Sequence, residues 1–217
     1  MILFENREDA FEQLTNQMPL RQMKKEGWIV LAISEGGVYF SKKIAKLIDA
    51  RHDYLFTEKI TAPNNKECVI AMISETQEIV INDRLIDSFD ITYDYVYGEA
   101  KRKYEEKILT YLYKYRKGEM IKSLKDKNVL LVDEGADTGM TLMASLKTAL
   151  ALNVAKVAVA LPIVAESIAQ ELEKIVDGVY FAHEVKNYID LYAYYKELPK
   201  FNALSMTEEQ TIAENNT

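Results

Sequence analysis

Cysteine and histidine are almost missing from this chain of 217 residues, and their scarcity excludes several kinds of site. Cys68 is the only cysteine, so no disulfide can form within the chain, and a reducing cytoplasmic compartment is expected. His52 and His183 are the only histidines. Two histidines so far apart argue against a histidine-based metal site and against a Ser-His-Asp triad.

Long apolar runs and an excess of positive charge are missing as well. No stretch approaches the roughly 18 apolar residues that cross a bilayer. The first nine residues also lack the basic-then-apolar order of a signal peptide. The chain has 27 Lys and Arg against 34 Asp and Glu, a net charge of −7, which disfavours general nucleic-acid binding. We therefore expect a cytoplasmic protein whose partners are neither nucleic acids nor membranes.

Two common nucleotide-binding fingerprints are absent, but a different anion-binding pattern is present. No Gly-Lys-Ser/Thr follows a glycine-rich turn, and no Gly-x-Gly-x-x-Gly occurs. Instead, residues 129–141 read Val-Leu-Leu-Val-Asp-Glu-Gly-Ala-Asp-Thr-Gly-Met-Thr. The four apolar residues predict a buried parallel strand, and the spacing from Met140 to Leu150 predicts a helix.

The short segment between this strand and this helix is suited to binding a sugar phosphate. The free amides of the turn and the positive end of the helix dipole would converge on one anion. Asp133 and Glu134, directly after the strand, could accept hydrogen bonds from sugar hydroxyls or hold a divalent cation.

Elsewhere the hydrophobic pattern predicts alternating helices and strands. Asn6 is a plausible cap for a helix that continues to about Glu26. A strand at 28–33, a turn at Ser34-Glu35-Gly36-Gly37, a helix to Ala50 and a strand at 53–57 form a βαβ unit with parallel strands.

The second half of the pattern contains an excursion and the remainder of the sheet. The predicted elements are a hairpin-like excursion at 59–90, a helix at 92–117, a strand at 154–163 ended by Pro162, a helix at 165–176, a strand at 178–182 and a tyrosine-rich capping segment at 188–195. The aromatic stripe of the 92–117 helix is more often packing than a stacking platform.

The 129–141 run resembles the phosphoribosyl-pyrophosphate signature of type I phosphoribosyltransferases. In that family an apolar strand leads into two acids, two small or apolar residues and then Asp-Thr-Gly-x-Thr. Two departures are present here: Glu134 stands where Asp is usual, and Gly135-Ala136 replace bulkier apolar residues.

The order of four weaker motifs is similar to the bacterial and archaeal phosphoribosyltransferases of unassigned substrate. These motifs are Phe4-Glu-Asn-Arg7-Glu-Asp-Ala10, Ser34-Glu35-Gly36-Gly37, Glu58-Lys59-Ile60 with Pro63-Asn64-Asn65-Lys66-Glu67, and Tyr115-Arg116-Lys117-Gly118. The resemblance implies an α/β fold with a Rossmann-like central parallel sheet flanked by helices, a small β/loop hood and a long helix. It implies one domain at 1–199 with the hood at about 60–125. Residues 200–217 are a polar tail that we expect to be partly mobile.

The resemblance also assigns a role to each candidate site residue. The 5′-phosphate of phosphoribosyl pyrophosphate would be held by Asp137, Thr138, Gly139, Met140 and Thr141. Asp133 and Glu134 would accept hydrogen bonds from the ribose hydroxyls. They would hold one Mg²⁺ indirectly, through these hydroxyls or through water. Asp137 would be a base or acceptor toward the incoming nitrogen. Pyrophosphate would lie at Glu35, Gly36, Gly37 and Lys59.

Two charge reversals leave two functions open. Relatives place Arg where this chain has Glu35 and Glu58, beside the expected pyrophosphate. Two unit charges about 5 Å apart interact by roughly 3 kcal/mol at an effective dielectric of about 20, so each reversal would penalise an anionic leaving group unless the side chains face solvent. The first function is phosphoribosyl transfer to an unidentified nitrogen acceptor. The alternative is a catalytically degenerate protein that binds ribose 5-phosphate or a nucleotide in a regulatory role. A homodimer is the default expectation for such a fold.

Overall fold

A parallel β-sheet with helices on both faces forms the centre of the molecule. The computed structural model describes residues 1–199. The predicted mobile tail at 200–217 lies outside the described residues. The central sheet contains β1 (Ile29–Ala32), β2 (His52–Tyr54), β6 (Asn128–Val132), β7 (Gly135–Ala136), β8 (Lys156–Ala165) and β9 (Gly178–Val185). The order is β2-β1-β6-β8-β7, with β9 also paired to β8, and every pairing is parallel.

A second, antiparallel sheet and the longest helical run form the hood. The hood sheet consists of β3 (Thr57–Ala62), β4 (Asn65–Ser74) and β5 (Ile79–Ile81). Its helices are α4 (Asp83–Ser88), α5 (Tyr93–Lys103) and α6 (Leu109–Arg116), with a π-helical turn at Tyr104–Ile108 joining α5 to α6. This arrangement confirms the predicted excursion and the predicted long helix.

The remaining helices cover the central sheet. They are α1 (Arg7–Thr15), α2 (Leu20–Glu26), α3 (Glu35–Ile48), α7 (Met140–Ala151), α8 (Glu166–Leu172) and a 3₁₀ helix at Leu191–Tyr194. None of the helices within residues 1–199 is long and apolar enough to cross a membrane.

The central strand β6 explains why both faces of the sheet need covering. Its residues Val129, Leu130, Leu131 and Val132 are all fully buried, as predicted for a parallel strand packed on both sides. Leu130 and Val132 face a core that includes α1 and α3, whereas Val129 and Leu131 face one that includes α7 and α8. A third apolar cluster lies within the hood.

Several predicted boundaries were wrong, and three of these errors have a local cause. The single helix to Glu26 is two helices, because α1 ends at Thr15 and α2 begins only after Pro19. Residues 35–37 are the first turn of α3 and not a turn between elements, because Ser34 caps that helix. Pro162 does not end β8. The residues of β8 up to Ala160 pair with β6 and those from Ile163 pair with β7, so Pro162 lies between the two pairings. The backbone N–H that proline lacks is therefore not needed by either neighbouring strand.

Candidate functional site

Three adjoining cavities lie along the carboxyl ends of the central strands. The corner cavity, about 140 Å³, is lined by Asp133 and residues 135–142. The groove, about 470 Å³, lies between hood and core and shares Thr138, Met140 and Thr141 with the corner cavity. The aromatic pocket, about 230 Å³, shares Ile33, Ser34, Glu35, Thr57 and Glu58 with the groove. Open α/β sheets bind ligands at this edge.

The corner cavity contains a helix N-terminus that no side chain of residues 1–199 caps. Asn6, Ser34, Asn82 and Thr92 cap α1, α3, α4 and α5 through their side chains. Helix α7, like α2 and α8, has no side-chain cap, and it is preceded by Gly139 at φ 67°. The first amides of a helix have no intrahelical partner, and residues 139–142 at the start of α7 line the cavity, at the positive end of the helix dipole.

Gly139 is required by both backbone conformation and space. A side chain is disfavoured at a positive φ, and a Cβ at this position would lie 3.1 Å from a methyl carbon of Ile168 on α8. The predicted phosphate-binding residues thus lie in a tight turn and in the first residues of α7, with Asp137 and Thr138 exposed in the turn.

Asp133 is the acid that faces the corner cavity. Its Oδ1 accepts the Glu134 amide hydrogen at 2.7 Å and a short hydrogen bond from the Ser34 hydroxyl. Ser34 in turn accepts a hydrogen bond from the Gly37 amide at 3.0 Å, which links the end of β6 to the start of α3. Burial raises the pKa of Asp133 to about 6, against the opposing effect of these hydrogen bonds.

Glu134 does not line the corner cavity but forms a buried ion pair. Arg7 Nε lies 2.6 Å from Glu134 Oε1, and Arg7 Nη2 donates to Oε2 at 3.3 Å. Arg7 Nη1 also donates to the Pro199 carbonyl at 2.6 Å. The two side chains are only 11% and 7% exposed, so the predicted ribose contact of Glu134 would require this pair to rearrange.

Gly36 and Gly37 line neither the corner cavity nor the groove. A Cβ on Gly36 would lie 2.9 Å from the Cβ of Glu134, and one on Gly37 would lie 3.0 Å from the Cα of Asp133. These glycines therefore allow α3 to pack directly against the acidic end of β6. The contact with pyrophosphate predicted for them stays a prediction, since their exposed neighbour Glu35 is the residue that reaches the groove.

The groove brings Glu35, Glu58 and Lys59 together with Thr138 and Thr141. Lys59 is exposed and forms no ion pair within residues 1–199. Glu58 is held on both oxygens: the Tyr111 hydroxyl donates to Oε1 at 2.6 Å, and Lys103 Nζ lies 3.8 Å from Oε2. The charge of Glu58 is therefore partly offset by the hood helix, whereas that of Glu35 is not.

Gly135 stands where the family signature has a bulkier residue. The capping segment at 188–195 occupies the space that a side chain at this position would need. A Cβ on Gly135 would lie 2.8 Å from the Tyr188 hydroxyl and 2.9 Å from a Leu191 methyl carbon. Burial, followed by the charges of Asp133 and Asp137, raises the pKa of Tyr188. The predicted capping segment thus packs against Gly135, a residue that lines the corner cavity, and its Tyr188 phenol is close enough to feel the charges of Asp133 and Asp137.

Sequence reasoning gave no role to two buried ion pairs that hold the site. Arg7 was visible only as part of a weak motif. Glu75 is fully buried and accepts two hydrogen bonds of 2.6 Å from Arg116 and one of 3.0 Å from the Phe56 amide. It therefore joins the end of β4 to α6 and to the connection between β2 and β3. The Tyr115-Arg116 motif was the available signal, but the partner, 41 residues away, could not be read from it.

The carboxylates at the corner cavity could hold a divalent cation only together with oxygen atoms of a bound substrate or of water. Within residues 1–199 no group of three His, Cys, Asp or Glu side chains could bind a metal ion. Asp133 offers a carboxylate to the corner cavity, and Glu134 is occupied by Arg7. A Mg²⁺ here would therefore take most of its oxygen ligands from substrate and water.

Comparison with known proteins identifies the family of this chain. The model of the phosphoribosyl transferase domain matches residues 5–191. Two proteins named "Putative phosphoribosyl transferase", from two strains of Mycobacterium tuberculosis, are each 29% identical over 183 residues. That alignment covers 82% of this chain and 40% of each relative, so the chain spans well under half of their length.

A solved structure shows the same fold over nearly the whole chain. The crystal structure of TT1426 from Thermus thermophilus superimposes with a TM-score of 0.72 at 22% sequence identity, covering 94% of this chain and 95% of that one. Its central parallel sheet flanked by helices matches the architecture described above. With the family model spanning residues 5–191, the chain belongs to the phosphoribosyl transferase domain family, with the type I fold.

Proposed function

We propose that the protein binds phosphoribosyl pyrophosphate and transfers its phosphoribosyl group to a nitrogen acceptor, with release of pyrophosphate. The observation that carries this proposal is the uncapped N-terminus of α7, which opens into the corner cavity beside Asp133. Unpaired amides next to a carboxylate suit a phosphate joined to a sugar with free hydroxyls. Membership in the family supports the same ligand.

Each residue of the corner would have a defined role. The amides of residues 137–141 and the hydroxyls of Thr138 and Thr141 would hold the 5′-phosphate. Asp133 would accept hydrogen bonds from the ribose hydroxyls. Asp137, exposed at the loop tip, would face the incoming nitrogen as acceptor or base. Mg²⁺, held mainly by substrate oxygens, would supply positive charge to the departing pyrophosphate.

The chain's own contribution to the reaction would be positioning. A transition state that resembles an oxocarbenium ion needs the ribose fixed while the C1–oxygen bond lengthens. Two anchors at opposite ends of the sugar phosphate, the α7 amides and Asp133, would provide this. Lys59 is the cation that the groove offers to the leaving group.

A second candidate function is favoured by one observation in the same groove. Glu35 and Glu58 outnumber Lys59, so the groove is less suited to a tetra-anion than to ribose 5-phosphate or a nucleotide. A protein that only binds such a ligand would have the same corner cavity and no pyrophosphate release.

Calorimetric titration with phosphoribosyl pyrophosphate and ribose 5-phosphate, with and without Mg²⁺, separates the two functions. Transfer predicts tighter binding of the pyrophosphate compound that depends on Mg²⁺. Equal or reversed affinities would instead support the binding protein. For either ligand, Thr138→Ala with Thr141→Val is expected to weaken binding by about tenfold or more, as for lost hydrogen bonds to a charged group. Thr110→Val, on the exposed face of α6, is the matched control and should change nothing.

A further inference from the structure

The aromatic pocket adjoins the groove but shares no lining residue with the corner cavity, and its chemistry differs from that of the corner. Four aromatic side chains form its walls, and they contact one another as a cluster. Tyr54 and Phe56 are stacked, with ring centroids 5.9 Å apart and an interplanar angle of 7°, and Tyr115 lies 5.4 Å from Tyr54 and 5.7 Å from Phe56. Tyr111 completes the group at 5.8 Å from Phe56. All four rings are only half-buried, so part of their surface faces the cavity.

Among the described residues, the only charged side chains that line this pocket are two carboxylates, Glu35 and Glu58. Glu35 is exposed in the first turn of α3, and one oxygen of Glu58 accepts the Tyr111 hydroxyl hydrogen. Two cations contact residues of the lining but do not themselves line the pocket. Lys103 lies 3.8 Å from the other Glu58 oxygen, and Arg116 is paired with the buried Glu75.

The faces of aromatic rings carry partial negative charge and attract cations. The same cluster already shows this preference, because the Arg116 guanidinium carbon lies 4.8 Å from the centre of the Phe56 ring. A pocket whose walls are rings and whose lining charges are two carboxylates therefore repels anions and favours a positively charged guest. Its volume of about 230 Å³ exceeds that of an apolar cavity of about 150 Å³ known to hold benzene.

We propose that the aromatic pocket binds a small organic cation, a protonated amine with a flat or compact apolar body. The apolar body packs against Tyr54, Phe56 and Tyr115, and the ammonium group faces Glu35 and Glu58. This site is independent of the α7 corner, because none of the residues that line the corner cavity lines the pocket. The charge reversals at Glu35 and Glu58 then have a function of their own, the recognition of this cation.

Three probes of one size test the charge preference directly: benzylamine as cation, benzyl alcohol as neutral isostere and benzoate as anion. Calorimetry and ligand-observed NMR on the whole protein should give the order benzylamine, then benzyl alcohol, then benzoate. Glu35→Gln with Glu58→Gln should weaken benzylamine binding by about tenfold, the effect of losing a cation's charged partners. The same double variant should leave benzyl alcohol within about twofold.

Ring contacts are tested by Tyr115→Leu, which should weaken both benzylamine and benzyl alcohol by about three- to tenfold. Tyr113→Leu, two residues away on α6 and 73% exposed, is the matched control and should change neither. Absence of benzylamine binding to a folded protein, or benzoate binding as tightly as benzylamine, would overturn the cation site. If the wild-type protein binds benzylamine but not phosphoribosyl pyrophosphate, only the proposed transfer reaction is overturned.

Discussion

Single residues hold the acidic end of β6 in place by contacts that have little to do with the ligand. Glu134, one of the two signature acids, is neutralised by Arg7, and Asp133 is held by Ser34 and a neighbouring amide. The two acids therefore differ although they are adjacent. Asp133 is the carboxylate offered to the corner cavity, and Glu134 fixes the N-terminal segment to the core.

Removing Arg7 tests the structural role of this pair. Arg7→Ala leaves a buried carboxylate without its partner and should lower the free energy of unfolding by about 3–5 kcal/mol. The control is Lys196→Ala, which breaks an ion pair of the same 2.6 Å length between side chains that are 60% and 63% exposed. Its unfolding midpoint should not move. A midpoint as high for Arg7→Ala as for the control would show that the buried pair is dispensable.

The raised pKa of Asp133 predicts a particular dependence of stability on pH. The carboxyl ionises near 3.8 in the unfolded chain and near 6 in the folded one, so between these values the folded state binds more protons. The raised pKa therefore adds on the order of 3 kcal/mol to the free energy of unfolding below pH 3.8, and this contribution is lost as the pH rises to about 6. Chemical denaturation of the wild type and Asp133→Asn without metal, from pH 4 to 7, measures this. Parallel pH profiles for the two proteins would contradict the raised pKa.

At the scale of elements, the contact between α3 and β6 depends on two glycines, Gly36 and Gly37. Whether an element could be predicted depended on whether its signal lies close by in the sequence. Buried strands such as Val129–Val132 and the Asn6 cap could be predicted because the signal lies within a few residues. The role of Gly36 and Gly37 could not, because the atoms that exclude a side chain there belong to residues almost 100 positions later.

A pair of glycine substitutions separates close packing from helix propensity. Gly37→Ala in α3 would force a Cβ against the backbone of Val132 and Asp133 and should destabilise the fold by about 1–3 kcal/mol. Gly98→Ala in α5 meets no atom within 4 Å and should stabilise by about 0.5–1 kcal/mol. Thermal unfolding of both variants provides the test, and stabilisation by Gly37→Ala would refute the close contact.

At the scale of the whole molecule, the hood and the core meet over one continuous site. The groove and the aromatic pocket share Glu35 and Glu58, so ligands in the two cavities would act on the same two charges. A cation in the aromatic pocket would offset these charges and favour an anion in the groove. Coupling of this kind is reciprocal, since each ligand changes the affinity of the other by the same factor.

Saturating benzylamine should therefore tighten binding of phosphoribosyl pyrophosphate by about fivefold. Ribose 5-phosphate, which lacks the pyrophosphate, is the control ligand and should bind equally well with and without benzylamine. In the Glu35→Gln and Glu58→Gln double variant the coupling should disappear. Calorimetric titrations in both orders measure this coupling. An unchanged or weaker affinity for phosphoribosyl pyrophosphate would show that the two cavities are not coupled through these carboxylates.

The expected homodimer stays a prediction.

The sequence by itself determined the parallel core, the hood and the α7 corner, because each follows from short-range spacing of apolar residues, acids and glycines. It also placed Asp133, Asp137, Thr138 and Thr141 in one loop region. Only the tertiary structure decided that Glu134 pairs with Arg7, that Glu58 bonds to Tyr111, and that Tyr188 fills the space above Gly135. These contacts join residues separated by about 50 to 130 positions, and a side chain's partner across such a distance depends on packing geometry that no local pattern encodes.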